Sequence, residues 1–147
     1  MEPAPVEPLD RREAWDRLGR VDVGRLATST GALPLVVPVH FALGGPDSIV
    51  FALPGDTSLA RAVAGGVFAF EAGGHDEVAD AWWSVLIRGV ASPVEMAPDG
   101  PADFAHLRTG GPIAAVAGTT DIVHGARVRS ALELPALAAY LTGAIQP

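Results

Sequence analysis

The side chains able to do chemistry are few. His40, His75, His106 and His124 are far apart, and none has a second ligand at metal-binding spacing. His75 is followed by Asp76 and Glu77 on a glycine-flanked stretch, a polar cluster that reads as a solvated loop. Ser84 lacks the G-x-S-x-G elbow of a hydrolase nucleophile. Cysteine is absent, which removes disulfides, thiolate catalysis and sulfur-ligated zinc together. Neither G-x-x-x-x-G-K-[ST] nor G-x-G-x-x-G occurs, so the usual nucleoside triphosphate and Rossmann sites fall away. One segment remains. An apolar run ends in Leu53-Pro54-Gly55-Asp56-Thr57-Ser58, and a helical pattern follows with Leu59, Ala62 and Val63 on its inner face. A strand feeding a helix start gathers unpaired backbone N–H groups and the positive end of the helix dipole, and the Thr57 and Ser58 hydroxyls add donors, so the segment can cradle a phosphate. The same residues also describe an ordinary helix cap at Asp56 or Thr57, and taken alone the segment favours the cap.

The elements that must position this segment follow from hydrophobic periodicity. Residues 1–8 carry three prolines and read as an extended arm. Asp10 and Glu13 stand at capping-box spacing, Leu9 and Ala14 can form a hydrophobic staple, and Ala14, Trp15 and Leu18 share one face of a first helix. From Val21 onward, runs rich in Val, Leu, Phe and Thr alternate with turn residues, giving candidate strands at 24–29, 33–43, 48–53, 67–71, 82–94 and 121–129. Short helices are expected at 57–64, 102–109 and 135–141. The fold class is therefore mainly β with short helices, a six-stranded antiparallel barrel in which closure removes exposed sheet edges. At 147 residues and 49% hydrophobic composition, the chain is expected to be one domain over 1–147.

Composition narrows the partners. A formal net charge of −7 argues against nucleic acid and anionic membrane. No apolar run is long enough to cross a bilayer, and the N-terminus lacks a signal-peptide pattern, so a cytoplasmic location is expected. All 10 basic residues are arginine, which reads as GC-rich codon usage.

Five pieces in order then carry a resemblance: Val23-Gly24-Arg25-Leu26-Ala27, Val37-Pro38-Val39-His40-Phe41, the unit 49–63, Phe68-Ala69-Phe70-Glu71, and Trp83-Ser84-Val85-Leu86-Ile87-Arg88-Gly89-Val90-Ala91. Over residues 9–95 the chain resembles the pyridoxamine 5′-phosphate oxidase-like family of FMN-binding split barrels. The resemblance implies a homodimer that holds FMN, or in some branches a deazaflavin or haem, in grooves between subunits. It implies an oxidoreductase acting on a small-molecule substrate that the sequence does not name. By position, the backbone of Val37, Pro38, Val39 and His40 would line the isoalloxazine edge, with Phe51 and Leu53 on the adjoining strand. Thr57, Ser58, Leu59 and Arg61 would hold the phosphate, and Trp83, Ser84 and Val85 would close the groove. The family's turn carries lysine where this chain has Ser58, and Leu53 replaces a usual threonine; Arg61, Arg25 or Arg88 can supply the missing cation. Ser58 and Asp56 also support a rival reading, a non-catalytic dimeric barrel that has lost flavin. A haem-binding relative would use His40, His75 or His124 as axial ligand.

Overall fold

The computed structural model describes residues 6–43, 48–54, 63, 66–94, 113–119 and 122–143. Helix α1 (Arg11–Leu18) starts where the capping pattern places it: the Glu13 backbone N–H donates to Asp10 Oδ1 at 2.8 Å. Ala14 and Leu18 on its inner face enter the same core as Leu9. A second helix, α2 (Leu134–Leu141), follows a short 3₁₀ turn and buries Leu137 and Leu141. None of the described helices is long and apolar enough to cross a membrane.

Eight strands form one antiparallel sheet: β1 (Glu7–Leu9), β2 (Val23–Thr30), β3 (Leu33–Leu43), β4 (Ser48–Pro54), β5 (Val67–Asp76), β6 (Ala81–Val94), β7 (Ile113–Thr119) and β8 (Ile122–Val128). The sheet order is β1-β8-β6-β5-β2-β3-β4-β7, and a further pairing of β6 with β7 closes a ring of six strands. Closure depends on β6, which is 14 residues long. Its first half, Trp82 to Arg88, pairs with β8, and its last residues, Ala91 to Val94, pair with β7. The strand changes neighbour midway along one edge, which splits the barrel.

The mainly β split barrel is thus the observed fold, with two differences in membership. The ring is closed by β7, a segment whose sequence, rich in Ala, carries no alternation of apolar and polar residues. The expected last strand is β8, which lies outside the ring and pairs with the other half of β6. The N-terminal arm also becomes a strand, β1, paired to β8 from Glu7↔Arg127 to Leu9↔Gly125. It lies at the sheet edge, where Pro8 leaves no inner ladder position unfilled. Glu7 fastens it by accepting from Arg127 Nε at 2.8 Å and Arg129 Nε at 3.2 Å. The Arg127 hydrogen bond, reinforced by Arg129, holds the Glu7 carboxyl below the usual carboxylate range. Of the expected helices, 102–109 and all of 57–64 except Val63 lie outside the described residues.

The barrel interior is filled by alternate residues of each strand. Phe51 and Phe70 are fully buried with ring centroids 5.3 Å apart; Phe41 meets Phe70 edge-on at 4.8 Å, and Phe68 meets Phe51 at 5.3 Å. Leu26, Val39, Ile49, Leu53, Val85 and Ile87 complete this core. A second, smaller core of Val6, Ala126, Val128, Leu137 and Leu141 lies on the other side of β8, beneath α2.

Gly24 is where the phenylalanine cluster meets the backbone: a Cβ there would overlap the Phe70 ring and lie 2.9 Å from the Glu71 carbonyl oxygen. Gly24→Ala is therefore expected to cost about 1–3 kcal/mol and lower Tm by several degrees. Gly74→Ala, whose Cβ would meet nothing nearer than 3.5 Å, serves as the control in thermal unfolding.

Candidate functional site

Because side chains alternate along a strand, the residues between the core positions form the outer face of the barrel. On β6 these are Ser84, Leu86, Arg88 and Val90; on β5 they are Val67, Ala69, Glu71 and Gly73. β2 and β3 add Arg25, Ala27, Val36 and Pro38. The ladder sets them in rows. Arg88 stands opposite Ala69, Ala69 opposite Ala27, and Ala27 opposite Val36. In the next row Leu86, Glu71, Arg25 and Pro38 face one another in the same order.

The second row is an electrostatic ridge. Arg25 Nε donates to Glu71 Oε1 at 2.8 Å, with Arg25 Nη2 2.7 Å from the same oxygen. The buried Ser84 hydroxyl donates to Glu71 Oε2 at 2.6 Å, so both carboxylate oxygens are engaged. Gly73 keeps this contact open, since a Cβ there would approach Glu71 Oε2 to 3.0 Å and the Trp83 carbonyl to 2.5 Å.

The first row is a trough. Its floor is Ala27 and Ala69, and its walls are Val67, Val90, Ser29 and Arg88, around a cavity of about 790 Å³. A smaller hollow of about 250 Å³ shares Ala27 and Ala69 and continues toward Val36, Arg25 and Glu71. The rim is unusually apolar for a surface: Val36, Val67 and Val90 are 63%, 75% and 47% exposed. Within it, Arg88 Nε is buried and has no hydrogen-bond partner among the described residues. The arginines on strands β2, β3, β5 and β6 are Arg25 and Arg88, and Arg25 is already neutralised by Glu71. A face with small residues as floor, aliphatic walls and one uncommitted guanidinium can hold a flat apolar body carrying one anionic group.

The residues expected from the sequence divide by face. Val39, Phe51, Leu53 and Val85 point into the core, and Val37 packs against it, so only their backbone can meet a ligand on the outer face. Pro38 is exposed, His40 is half-buried, and both belong to the outer face beside Arg25 and Val23. Ser84 is on the outer face but committed to Glu71. Trp82 and Trp83 take opposite faces, at 38% and 7% exposure. Trp83 is the inward one, with the Arg17 guanidinium 5.9 Å from its ring centre, whereas Trp82 stacks against His75 at 4.9 Å. Thr57, Ser58, Leu59 and Arg61 lie outside the described residues.

The cluster at His75 behaves as a turn. Asp76 Oδ1 accepts the backbone N–H groups of Val78 and Ala79 at 3.0 and 3.1 Å, and the Ala79 bond leads the causes that lower its pKa. His75 Nε2 lies 3.0 Å from Asp80. Among the described residues no group of His, Asp and Glu is arranged to hold a metal ion.

Sequence reading missed the Glu71 pair, the alanine floor and the valine rim. The signal was present in Val67-Phe68-Ala69-Phe70-Glu71, whose strict alternation fixes Phe68 and Phe70 inside and the other three outside.

Several known proteins share this arrangement of strands. The family model for pyridoxamine 5′-phosphate oxidase matches residues 10–133. An uncharacterized protein of Mycobacterium tuberculosis is 38% identical over 93 residues, covering 60% of this chain and 61% of its own length. The FAD-binding protein of Mycobacterium smegmatis superposes with a TM-score of 0.66 at 27% identity, over 84% of this chain and 99% of that one. A FAD-binding protein of Mesorhizobium loti superposes at 0.68 over 85% of this chain and 98% of its own; at 18% identity it speaks to the fold.

The Glu71 ridge makes a quantitative test of burial. Ser84→Ala removes a buried donor to a carboxylate and is expected to cost about 2 kcal/mol, whereas Arg25→Ala breaks a half-exposed ion pair worth about 0–1 kcal/mol. Urea unfolding of the two variants should rank them in that order.

Proposed function

The chain belongs to the pyridoxamine 5′-phosphate oxidase family, and from that membership we propose that it is a flavin-binding, oxidoreductase-like protein of the cytoplasm, with FMN as the nucleotide. The observation that carries this reading is the outer-face trough, with its alanine floor, valine walls and one uncommitted arginine. A flavin, when bound, supplies hydride transfer; the protein supplies a dry slot, orientation and an anchor for the phosphate. Pro38 and His40 would flank the ring from β3, and Ala27 and Ala69 let a flat body approach the sheet closely. The similarity to a FAD-binding protein at 27% identity supports a flavin nucleotide as the ligand.

A homodimer is part of the proposal. Val36, Val67 and Val90 form an apolar rim of a kind that isolated barrels seldom leave in water, and a second copy laid across it would convert the trough into a closed groove. The wall missing from an open trough would then come from the partner. The substrate, a small molecule, would approach whichever ring face the second copy leaves open.

The rival is a dimeric barrel without cofactor. The observation on its side is that Arg25 is spent on Glu71 and that position 58 is serine. Purified protein is expected to be yellow, or to quench flavin fluorescence on titration with FMN, and to sediment as a dimer. Absence of binding to FMN, FAD and a deazaflavin by a dimeric protein would favour the empty barrel, and a Soret band on adding haem would move the assignment to a haem-binding relative.

A further inference from the structure

Arg88 is anomalous in this chain. There are 17 acidic side chains for 10 basic ones, and an exposed arginine finds a carboxylate easily. Arg17 has Asp76, Arg25 has Glu71, and Arg127 and Arg129 share Glu7. Among the described residues Arg88 has none, and its Nε is buried without a hydrogen-bond partner. A buried N–H of a charged group left unmade is among the more expensive features a fold can carry, and buried polar groups in folded proteins are almost always satisfied. Its ladder neighbours offer no side-chain acceptor: across the ladder stands Ala69, then Ala27, and the nearest wall positions are Val67 and Val90.

The geometry of the vacancy specifies the acceptor. Nε and one Nη form the edge of the guanidinium that meets two oxygens of one group side by side, the arrangement suited to phosphate or carboxylate. The distance across the face sets the length of the ligand. From β6 to β3 is three strand spacings of about 4.8 Å, about 14 Å in all. That span separates Arg88 from Val36, and Pro38 and His40 follow at the next outward positions along β3. It suits a ring at Pro38 and His40 joined through a short chain over the alanine floor to a phosphate at Arg88.

We propose that Arg88 is the phosphate contact of the trough, supplying from strand β6 a cation that Ser58 does not provide. The proposal rests on the flavin reading, and its test separates the two. The Nε–Hε NMR resonances of the 10 arginines report each guanidinium, and Arg88→Met identifies the Arg88 signal while keeping an apolar stem of similar length. FMN is expected to move that signal, and riboflavin, which has the ring but no phosphate, to leave it in place. Arg88→Met should weaken FMN about ten- to hundredfold and riboflavin less than about twofold, with Arg88→Lys, which keeps the charge, falling between. If FMN binds wild type and Arg88→Met equally, or if Arg88→Met loses riboflavin as fully as FMN, Arg88 is not the phosphate contact, although the flavin reading stands. If FMN fails to bind but inorganic phosphate moves the Arg88 signal, the anion site stands and the flavin reading falls. If neither moves it, the proposal is overturned.

Discussion

Strand β6 is hydrogen-bonded to β5 along one edge and to β8 and then β7 along the other, and the rest of the barrel is arranged around that exchange of partners. A strand that kept a single neighbour along its whole length would leave an open sheet with β7 unpaired on one side. By passing from β8 to β7 near Gly89 and Val90, β6 closes the six-strand ring and still carries β8 and β1 as an outer flap. The cost of gathering neighbours so distant in sequence is loop-closure entropy, and the phenylalanine cluster offsets it because Phe51 and Phe70 are contributed by β4 and β5, on opposite arcs of the ring. The same strand fixes which chemistry faces outward. With Trp83, Val85 and Ile87 committed to the core, Ser84, Leu86, Arg88 and Val90 must lie on the other face.

That outer face shows two ways of handling charge over small residues. At Glu71 the charge and both carboxylate oxygens are engaged, by Arg25 on one side and Ser84 on the other, and Gly73 gives the network room. One row away, Arg88 Nε has no partner among the described residues. Two arginines on adjacent rows of one sheet therefore differ completely in availability, although the sequence presents both simply as arginine on a strand. Function is carried by such a difference in residual valence, because a satisfied ion pair has little left to offer a ligand, and an unsatisfied one binds at the expense of the stability it has already given up.

Much of the fold was legible in the sequence for a local reason. Residues 33–43 form an apolar run bounded by Gly31 and Gly44, so β3 begins and ends where expected, and Asp10 with Glu13 signals α1 through its own cap. The two strands that were not foreseen lack a local signature. Ile113–Thr119 has the small residues of a turn region and becomes a strand because β4 and β6 both offer it an edge. Glu7–Leu9 is held by β8, more than a hundred residues away, and by the Glu7 clasp to Arg127. Of the site, the residue types were readable but their faces and partners were not: Leu53 and Phe51 turned inward, and Ser84 was claimed by a carboxylate 13 positions back.

The substitution of the expected lysine by Ser58 looks like loss of a cofactor site only if the phosphate contact is tied to one turn. A sheet face imposes a weaker condition. Any outward position on a neighbouring strand within a ligand's length can present a cation to the same apolar floor, and the barrel keeps those positions at fixed spacings whichever residues fill them. Position 88 meets that condition, because its row crosses Ala69 and Ala27 toward β3 and its guanidinium is uncommitted. Glu71 is what prevents Arg25, one row nearer to Pro38, from meeting it equally well. The carboxylate that stabilises the ridge thereby directs an incoming anion past Arg25 and across the trough to the far strand.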